Sequence, residues 1–249
     1  MPRFFVGAEQ VGGGRGAIVG ADAAHLARAL RVRPGELVRV VDDAGVEHGL
    51  RVDAVSRERI EGAVEWSRPV TGEPRLRVHV LQALPQGGID GAVETLTAVG
   101  VASIRPFAAE RGVARPDARR GGARRERWRS IAREAAQQAL RGTVPDVYEP
   151  ATLQAALEAL PPGCLVLLAR VGADQHVATL DLGTAADVAV VIGPEGGLSP
   201  GEMSMLEARA ARAVHLGPRV LRSRLAGTIA VALLIASAER ADVSPAARP

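Results

Sequence analysis

The stretch VVIGPEGGLSPGE, residues 190–202, decides which fold this chain can form. The apolar run Asp187–Ile192 leads into it and is mostly β-branched without polar alternation, which is typical of a parallel strand buried on both faces. The residues SPGE, 199–202, match a capping box, in which serine precedes a helix, proline takes its first position and glutamate reaches back from the third. We therefore predict a strand, a tight loop and a helix.

The predicted loop contains three glycines, Gly193, Gly196 and Gly197. Glycine permits a positive φ angle, or lets the backbone come within hydrogen-bonding distance of a ligand. In open α/β sheets, loops at the carboxyl ends of strands are where ligands bind. A plain connection between strand and helix could contain the same residues, so this segment alone leaves a binding site and a simple turn both open.

The composition excludes several kinds of site. All 31 basic residues are arginine, so the chain cannot have a Walker A phosphate loop, which needs a lysine. The single cysteine, Cys164, lies in an apolar run and excludes an internal disulfide or a cysteine-rich metal site, so we expect a buried, unreactive thiol. The five histidines lie far apart without metal-binding spacing, and we expect no metal.

The sequence shows neither a signal peptide nor a transmembrane segment. No charged region followed by an apolar core opens the chain, and the longest apolar stretch, residues 225–238, is too short to cross a bilayer. We expect a soluble cytoplasmic protein with no membrane partner.

The charge is unevenly distributed. Residues 111–133, which we call the arginine block, hold nine arginines against two acids and carry +7, while the rest of the chain carries −4. One basic segment on a slightly acidic protein is the expected footprint of nucleic-acid binding, although a solvated charged loop would have the same composition. The arginines predicted to contact RNA are Arg3, Arg119, Arg120, Arg124 and Arg125.

Residues 1–70 have mostly β character. We predict strands at 37–42, 49–55 and 60–66, and in the last of these every second residue from Ile60 to Trp66 alternates with mostly polar residues, which indicates a small β-barrel or sandwich. We also predict a flexible loop at GGGRG, residues 12–16, and a short helix from residue 22 to 30, capped by Asp22.

The pattern changes after a linker at residues 67–74. From residue 75 onward, strands alternate with helices, which favours a parallel α/β sheet. One amphipathic helix is predicted over 125–140. The last helix, 223–240, is apolar nearly all round, so it must be covered by its own sheet or by a second subunit.

Three glycine-bearing or apolar strand ends follow one another near the C-terminus: LLAR at 167–170, IGPEGGLS at 192–199 and HLGPRVLRSRLAG at 215–227. In their residues and spacing they resemble the SPOUT-class RNA methyltransferases of the RsmE type, which methylate N3 of a uridine in 16S ribosomal RNA. The resemblance runs nearly end to end, because PRFF at 2–5 and RWRSIAREAAQQALRGTVP at 127–145 are also similar to that family.

The resemblance implies an α/β chain of two domains. Residues 1–70 would form a PUA-like β-barrel that helps to bind RNA, and residues 75–249 a parallel-sheet SPOUT methyltransferase domain with a deep trefoil knot. The cofactor would be S-adenosylmethionine, enclosed by three loops at the knot and completed across a homodimer interface. The substrate would be 16S ribosomal RNA or the assembled small subunit.

The resemblance also implies roles for individual residues. The cofactor-binding residues would be Leu167, Leu168, Ala169, Gly193, Glu195, Gly196, Gly197, Leu198, Leu216, Gly217, Leu221 and Arg222. The reaction would use Arg222 and Arg141 to favour an anionic uracil ring, and Glu195 as a proton acceptor or organiser. Structural alternatives stay open: Arg222 could pair with a carboxylate at the helix start, and Glu195 could cap a helix N-terminus.

Several positions depart from the family pattern. Gln86 replaces a lysine, Ala139 replaces a serine, and Arg224 and Leu225 replace a hydroxyl or acidic residue followed by threonine. Two other functions therefore stay open. One is a catalytically weak or inactive RNA-binding protein that retains S-adenosylmethionine binding, and the other is a small-molecule α/β enzyme that uses a different nucleotide.

Overall fold

The chain divides into two compact units. A computed structural model describes residues 2–85, 87–112 and 121–242. The first unit consists of Met1–Glu73 together with Ala136–Val144, and the second of Pro74–Ala135 together with Pro145–Pro249. The chain thus leaves the first unit, enters the second, and returns once before it completes the second.

The first unit is built on a six-stranded sheet with one α-helix. Its elements are β1 (Arg3–Phe5), a short 3-10 helix (Ala8–Gln10), β2 (Val11–Gly12), β3 (Arg15–Val19), α1 (Gly20–Arg28), β4 (Leu37–Val41), β5 (Val46–Val55) and β6 (Arg59–Pro69). The strand order is β1-β4-β5-β6-β3-β2, with β1 and β4 parallel and the other pairs antiparallel. Phe4, Ile18, Leu26, Leu50 and Ile60 fill its core. The three predicted strands are therefore present: β5 and β6 are longer than predicted, and β4 ends one residue earlier.

Two local predictions in the first unit are wrong. The glycine-rich residues 12–16 form a hairpin between β2 and β3, because Gly13 and Gly14 take φ angles of +58° and +76° and make the two-residue turn. Helix α1 begins at Gly20, and Asp22 does not cap it. The Asp22 carboxylate instead accepts a hydrogen bond from the Gln137 side chain at 3.0 Å.

The returning segment is held to the first unit by polar contacts. Arg141 is buried and pairs with the Glu73 carboxylate at 2.8 Å, and the backbone N–H of Gly142 donates to the same carboxylate at 2.7 Å. Burial raises the pKa of Glu73, but the hydrogen bonds and charge of Arg141 outweigh it and hold that pKa below its ordinary value. Glu73 is therefore ionised at neutral pH and anchors the segment.

The second unit is an α/β layer structure around a parallel sheet. Its strands are β7 (Arg77–Ala83), β8 (Ser103–Ala108), β9 (Asp146–Val147), β10 (Ala151–Thr152), β11 (Leu165–Ala169), β12 (Asp187–Ile192) and β13 (Arg212–Val214). Its helices are α2 (Asp90–Ala98), α3 (Gly121–Gln138, whose last turn belongs to the first unit), α4 (Leu153–Glu158), a 3-10 helix (Val177–Thr179), α5 (Pro200–Ala208) and α6 (Ser223–Asp242). The strand order is β10-β8-β7-β12-β11-β13, with β9 beside β8, and every pair is parallel. The predicted parallel α/β sheet is confirmed.

The opening stretch folds as predicted. All of β12 is buried, because β7 and β11 flank it and side chains cover both of its faces. The capping box at the start of α5 is complete: Ser199 Oγ accepts from the Glu202 N–H at 3.2 Å, and the Glu202 carboxylate accepts from the Ser199 N–H at 2.8 Å. The strand, loop and helix are confirmed.

Helix α6 has two apolar faces that differ in exposure. The face that packs within the second unit is buried and comprises Ala226, Ala230, Val231, Leu234 and Ile235. The opposite face comprises Leu225, Ile229, Ala232, Leu233 and Ala236, and these residues are partly or fully exposed, Leu225 by 45%. Among the described residues, no helix is long and apolar enough to cross a membrane.

We expect Asp187→Asn to lower the free energy of unfolding by roughly 2 kcal/mol at neutral pH. Asp187 begins β12 and lies 2.8 Å from Arg77 Nε and 2.9 Å from His79 Nε2. Hydrogen bonds from Arg77 and then His79 lower its pKa from 3.8 to about 2, against the opposing effect of burial. Because the folded pKa is depressed, this stabilisation is present above about pH 4 and is lost as the pH falls towards about 2.

Denaturant unfolding at several pH values measures this effect. The difference between Asp187→Asn and the unaltered chain should shrink as the pH falls from 4 to 2. Asp174→Asn is the matched control, since Asp174 is exposed and its carboxylate has no ion pair with a described residue. A difference that stays constant over that pH range would contradict the assignment.

Candidate active site

A cavity of about 690 Å³ lies at the carboxyl ends of three neighbouring strands of the second unit. Ala169 at the end of β11 is level with Ile192 of β12 and Val214 of β13, so the segments that follow these strands leave the sheet side by side. The cavity is lined by Leu168, Ala169, Arg170, Val171, Ile192, Gly193, Pro194, Glu195, Gly197, Leu198, Met203, Leu216, Gly217, Arg219, Val220, Leu221, Arg222, Ser223 and Ala226. All of these residues except Val171 and Met203 belong to the three segments that the sequence singled out.

Most of the predicted cofactor-binding residues line this cavity. The exceptions are Leu167, which is fully buried in β11, and Gly196. A Cβ atom on Gly196 would lie 3.3 Å from the carbonyl oxygen of Arg111, so this glycine permits close packing against another loop. The binding roles stay a prediction, but the other ten of the twelve predicted residues do share one cavity.

Three glycines line the cavity, and the backbone requires a glycine at only two of these positions. Gly197 and Gly217 have φ angles of +74° and +113°, which residues with a Cβ rarely adopt. Gly197 donates its N–H to the Pro194 carbonyl at 2.9 Å, and Gly217 donates to His215 Nδ1 at 3.2 Å. At Gly193, a Cβ would make only an ordinary contact of 3.4 Å with Leu198. Backbone geometry therefore explains the first two glycines but not the third.

Glu195 is tied to the first residue of α6. Its Oε1 atom accepts a hydrogen bond from the buried Ser223 hydroxyl at 3.0 Å. The positive end of the helix dipole favours a carboxylate there. The contact supports the structural alternative for Glu195, and it also fixes where the exposed carboxylate stands in the cavity wall.

Arg222 is exposed in the same wall, one residue before α6. Within the described part of the chain, its guanidinium forms no ion pair or hydrogen bond with another residue, so the alternative of a carboxylate at the helix start is not observed there. Sequence reasoning missed Arg170 and Arg219, which also line the cavity. Arg170 is the last residue of the quoted strand end LLAR, and that position was the available signal.

The other predicted site residues lie elsewhere. Arg141 is not among the described residues that line the cavity, and its catalytic role stays a prediction. Arg3 is buried, binds Glu47 at 2.8 Å and donates to the Leu140 carbonyl. In the arginine block, Arg119 and Arg120 lie outside the described residues, as does Gln86.

Two further predictions concern metals and the thiol. Among the described residues, no group of histidine, cysteine, aspartate or glutamate side chains could hold a metal ion.

Cys164 is half-buried, whereas the sequence predicted a buried thiol. Burial, with the charge of Asp187, raises the pKa of its thiol to about 11, so the thiol stays protonated at neutral pH.

Known proteins resemble this chain over most of its length. It is 32% identical over 232 residues to ribosomal RNA small subunit methyltransferase E of Mycobacterium bovis, covering 90% of this chain and 87% of that protein. It is 27% identical over 226 residues to the Bacillus subtilis protein of the same name, covering 87% and 88%. The crystal structure of ribosomal RNA small subunit methyltransferase E from Neisseria gonorrhoeae bound to S-adenosyl methionine has a TM-score of 0.82 and 26% identity, and covers 98% of each chain.

Residues 72–235 match the family model described as the RNA methyltransferase domain. This range includes every residue that lines the cavity. The match defines the class of the protein, an RNA methyltransferase. Within that class, the likeness along nearly the whole chain shows that it belongs to the ribosomal RNA small subunit methyltransferase E family.

Proposed function

We propose that this protein transfers a methyl group from S-adenosylmethionine to N3 of a uridine in 16S ribosomal RNA of the small ribosomal subunit. The observation that carries the proposal is the cavity whose walls are the three segments after β11, β12 and β13. Ligands bind at this position in open α/β sheets.

The residues of the cavity fit the proposed cofactor. Its volume of about 690 Å³ lies within the range of sites for small molecules. Leu168, Leu198 and Leu216 supply apolar surface for a purine ring, and Gly193 lets a ligand approach the backbone closely. The solved relative from Neisseria gonorrhoeae, at 26% identity, is described as bound to this cofactor.

The proposed chemistry assigns distinct work to Arg222 and Glu195. S-adenosylmethionine supplies a methyl group on a positively charged sulfur. The N3 atom of uracil carries a proton that must leave before or during attack, and the Arg222 guanidinium stabilises the negative charge that then develops on the ring carbonyls. Glu195 Oε1 is engaged by Ser223, while Oε2 is the oxygen that we assign to accepting or guiding the proton.

The two parts of the chain also receive proposed roles. Residues 1–70 act as a PUA-like barrel that helps to bind RNA. Residues 75–249 form the methyltransferase domain, which contains a deep trefoil knot. Chains rarely thread loops, and this class is an exception to that rule. The protein works in the cytoplasm on 16S ribosomal RNA or on the assembled subunit.

Methyl transfer to purified 16S ribosomal RNA and to small subunits tests the proposal. Labelled S-adenosylmethionine reports transfer, and mass spectrometry of the nucleosides identifies the methylated atom. The expected product is 3-methyluridine. Cofactor binding without transfer would favour the inactive RNA-binding alternative, and preference for another nucleotide would favour the small-molecule enzyme.

A homodimer would cover the exposed face of α6. That face carries Leu225, Ile229 and Leu233, and two further exposed apolar side chains, Val171 at 65% and Val220 at 80%, lie on the cavity wall. Exposed apolar patches of this kind mark interaction sites. A second copy of the chain that buried the exposed face of α6 together with these two valines would also complete the cavity wall.

We expect Leu233→Glu to give monomers or insoluble protein, because a charge would be placed in the centre of an apolar interface. Light scattering at micromolar concentration measures the oligomeric state. Leu30→Glu is the matched control, since Leu30 is a leucine of the first unit that is 39% exposed. A monomer for the unaltered chain would contradict the proposed dimer.

We expect RNA affinity to depend on the arginine block. Changing Arg119, Arg120, Arg124 and Arg125 to alanine should weaken RNA binding and flatten the log–log salt slope by roughly two to three units, at about 0.7 per phosphate contact. RNA binding at several salt concentrations measures the slope, and cofactor affinity, which should hardly change, is the control. An unchanged slope would mean that the block is a solvated segment.

A further inference from the structure

A second cavity, of about 250 Å³, lies on the other side of the parallel sheet's centre, at the β8–β10 edge. We call it the edge cavity. Its lining consists of Arg105, Pro106, Arg125, Tyr148, Glu149, Ala151, Ala155, Ala156 and Ala159. None of these residues lines the candidate active site, and all belong to the second unit. The four alanines leave room in front of the charged side chains.

Arg105 is a cation in an unusual position within this cavity. The residue is only 6% exposed, and its Nε atom is buried without a hydrogen-bond partner. Among the described residues, no carboxylate forms an ion pair with it. Its guanidinium carbon lies 3.9 Å from the centre of the Tyr148 ring, which offsets part of the cost of burial. A buried charge ordinarily requires an opposite charge and hydrogen bonds.

Arg125 brings a second guanidinium to the edge cavity. Its Nε atom donates to the Val147 carbonyl at 3.3 Å, which fixes the side chain, and its Nη1 atom lies 3.8 Å from Glu149 Oε1. Glu149 is exposed, so it can remain in solvent while an anion enters. The charged lining is two guanidinium groups against one carboxylate, which leaves the cavity positive.

We infer that the edge cavity binds a phosphate group. Guanidinium forks match phosphate geometry and form charge-assisted hydrogen bonds with it, and Arg105 Nε has an unused donor. The volume is below that of ordinary small-molecule sites, so it suits a phosphate group rather than a complete cofactor. The phosphate belongs either to an RNA backbone or to a free phosphate ester.

An RNA backbone is the favoured source of the phosphate, since Arg125 belongs to the arginine block, which we predict to contact RNA. That choice of source rests on the proposed function, whereas the phosphate site itself does not. An RNA strand that crossed the second unit could place one backbone phosphate at Arg105 while its target base entered the candidate active site.

Thermal unfolding in inorganic phosphate and in chloride, at equal ionic strength, tests the site on the full chain. Phosphate should raise the melting temperature of the unaltered chain, and Arg105→Met should lose that response because phosphate affinity falls about tenfold or more. In chloride, Arg105→Met should be as stable as the unaltered chain or more so, because an unpaired buried charge is removed. A merely structural arginine would show the opposite.

Two further variants make this test decisive. Arg125→Met, which removes the less buried cation, should also lose the phosphate response and serves where Arg105→Met does not fold. Arg209→Met should keep the response, because Arg209 is exposed at the end of α5 and lies outside the cavity. A phosphate response that survives in both cavity variants, or its absence from the unaltered chain, would overturn the inference.

Binding of a 16S ribosomal RNA fragment at several salt concentrations separates the two sources. If the phosphate is part of the RNA backbone, Arg105→Met flattens the salt slope by about 0.7, the value for one phosphate. If the slope is unchanged while the phosphate response is lost, the ligand is a free phosphate ester. S-adenosylmethionine affinity, measured on the same samples, reports separately on the proposed function.

Discussion

Replacing Arg222 with methionine is expected to slow methyl transfer about a hundred-fold or more, while S-adenosylmethionine affinity changes by only a few-fold. Arg222 is one of three exposed arginines that line the cavity, and the residue that follows it, Ser223, donates a hydrogen bond to Glu195. Its charge acts on the uracil ring, which becomes negative only as the reaction proceeds, so the loss should fall on the rate and not on cofactor binding. Methionine keeps an apolar stem of similar length in the wall.

Single-turnover transfer with saturating RNA measures this effect, and calorimetry measures cofactor affinity. Arg224→Met is the matched control, since Arg224 is also exposed at the start of α6 but does not line the cavity. Arg222→Lys should recover only part of the rate, because lysine supplies the charge without the planar fork. Equal rates for Arg222→Met and the unaltered chain would remove Arg222 from the mechanism.

Gly193→Val should weaken S-adenosylmethionine binding by roughly 5- to 150-fold, since overpacking of a well-fitted site costs about 1–3 kcal/mol. Gly193 lines the cavity, takes no positive φ angle, and has room for a Cβ against Leu198. The folded chain should therefore tolerate the larger side chain, and the added methyl groups would occupy space that the cofactor needs.

Calorimetry with purified variants tests this prediction, and Gly91→Val is its control. A Cβ on Gly91 meets nothing within 4 Å, and Gly91 lies on α2 away from the cavity. Gly196→Val would be a weaker test, because that glycine faces the Arg111 carbonyl and its loss would disturb a loop contact. Unchanged affinity in a folded Gly193→Val protein would place the cofactor elsewhere.

Local sequence signals predicted the centre of the second unit well. The β-branched run of β12 and the capping box at Ser199 each act within a few residues, so their consequences could be read directly from the chain. The same reasoning failed at residues 12–16, because a glycine run fits both a flexible loop and a tight hairpin turn. The pairing of Gly12 with Arg15 across β2 and β3 decided between the two.

The site was predictable in part for a related reason. The carboxyl ends of parallel strands meet at one edge of a sheet, so three distant segments could be expected to share a cavity. The buried cation Arg105 was not predictable, because the residues SIRPF, 103–107, have the pattern of an ordinary strand. Its significance depends on which side chains α3, α4 and the segment after β9 bring to it, and those contacts are set by the tertiary fold.

The return of residues 136–144 to the first unit constrains how the chain matures on the ribosome. Translation proceeds from the N-terminus, so the segment that supplies Arg141 and Gln137 is made only after residues 74–135 have left the peptidyl-transferase centre. Until then, Glu73 lacks its guanidinium and Asp22 lacks its amide partner. A nascent chain that stalled before residue 136 would therefore expose an incomplete N-terminal unit to proteases and chaperones, although every residue of the segment 1–73 had already been made.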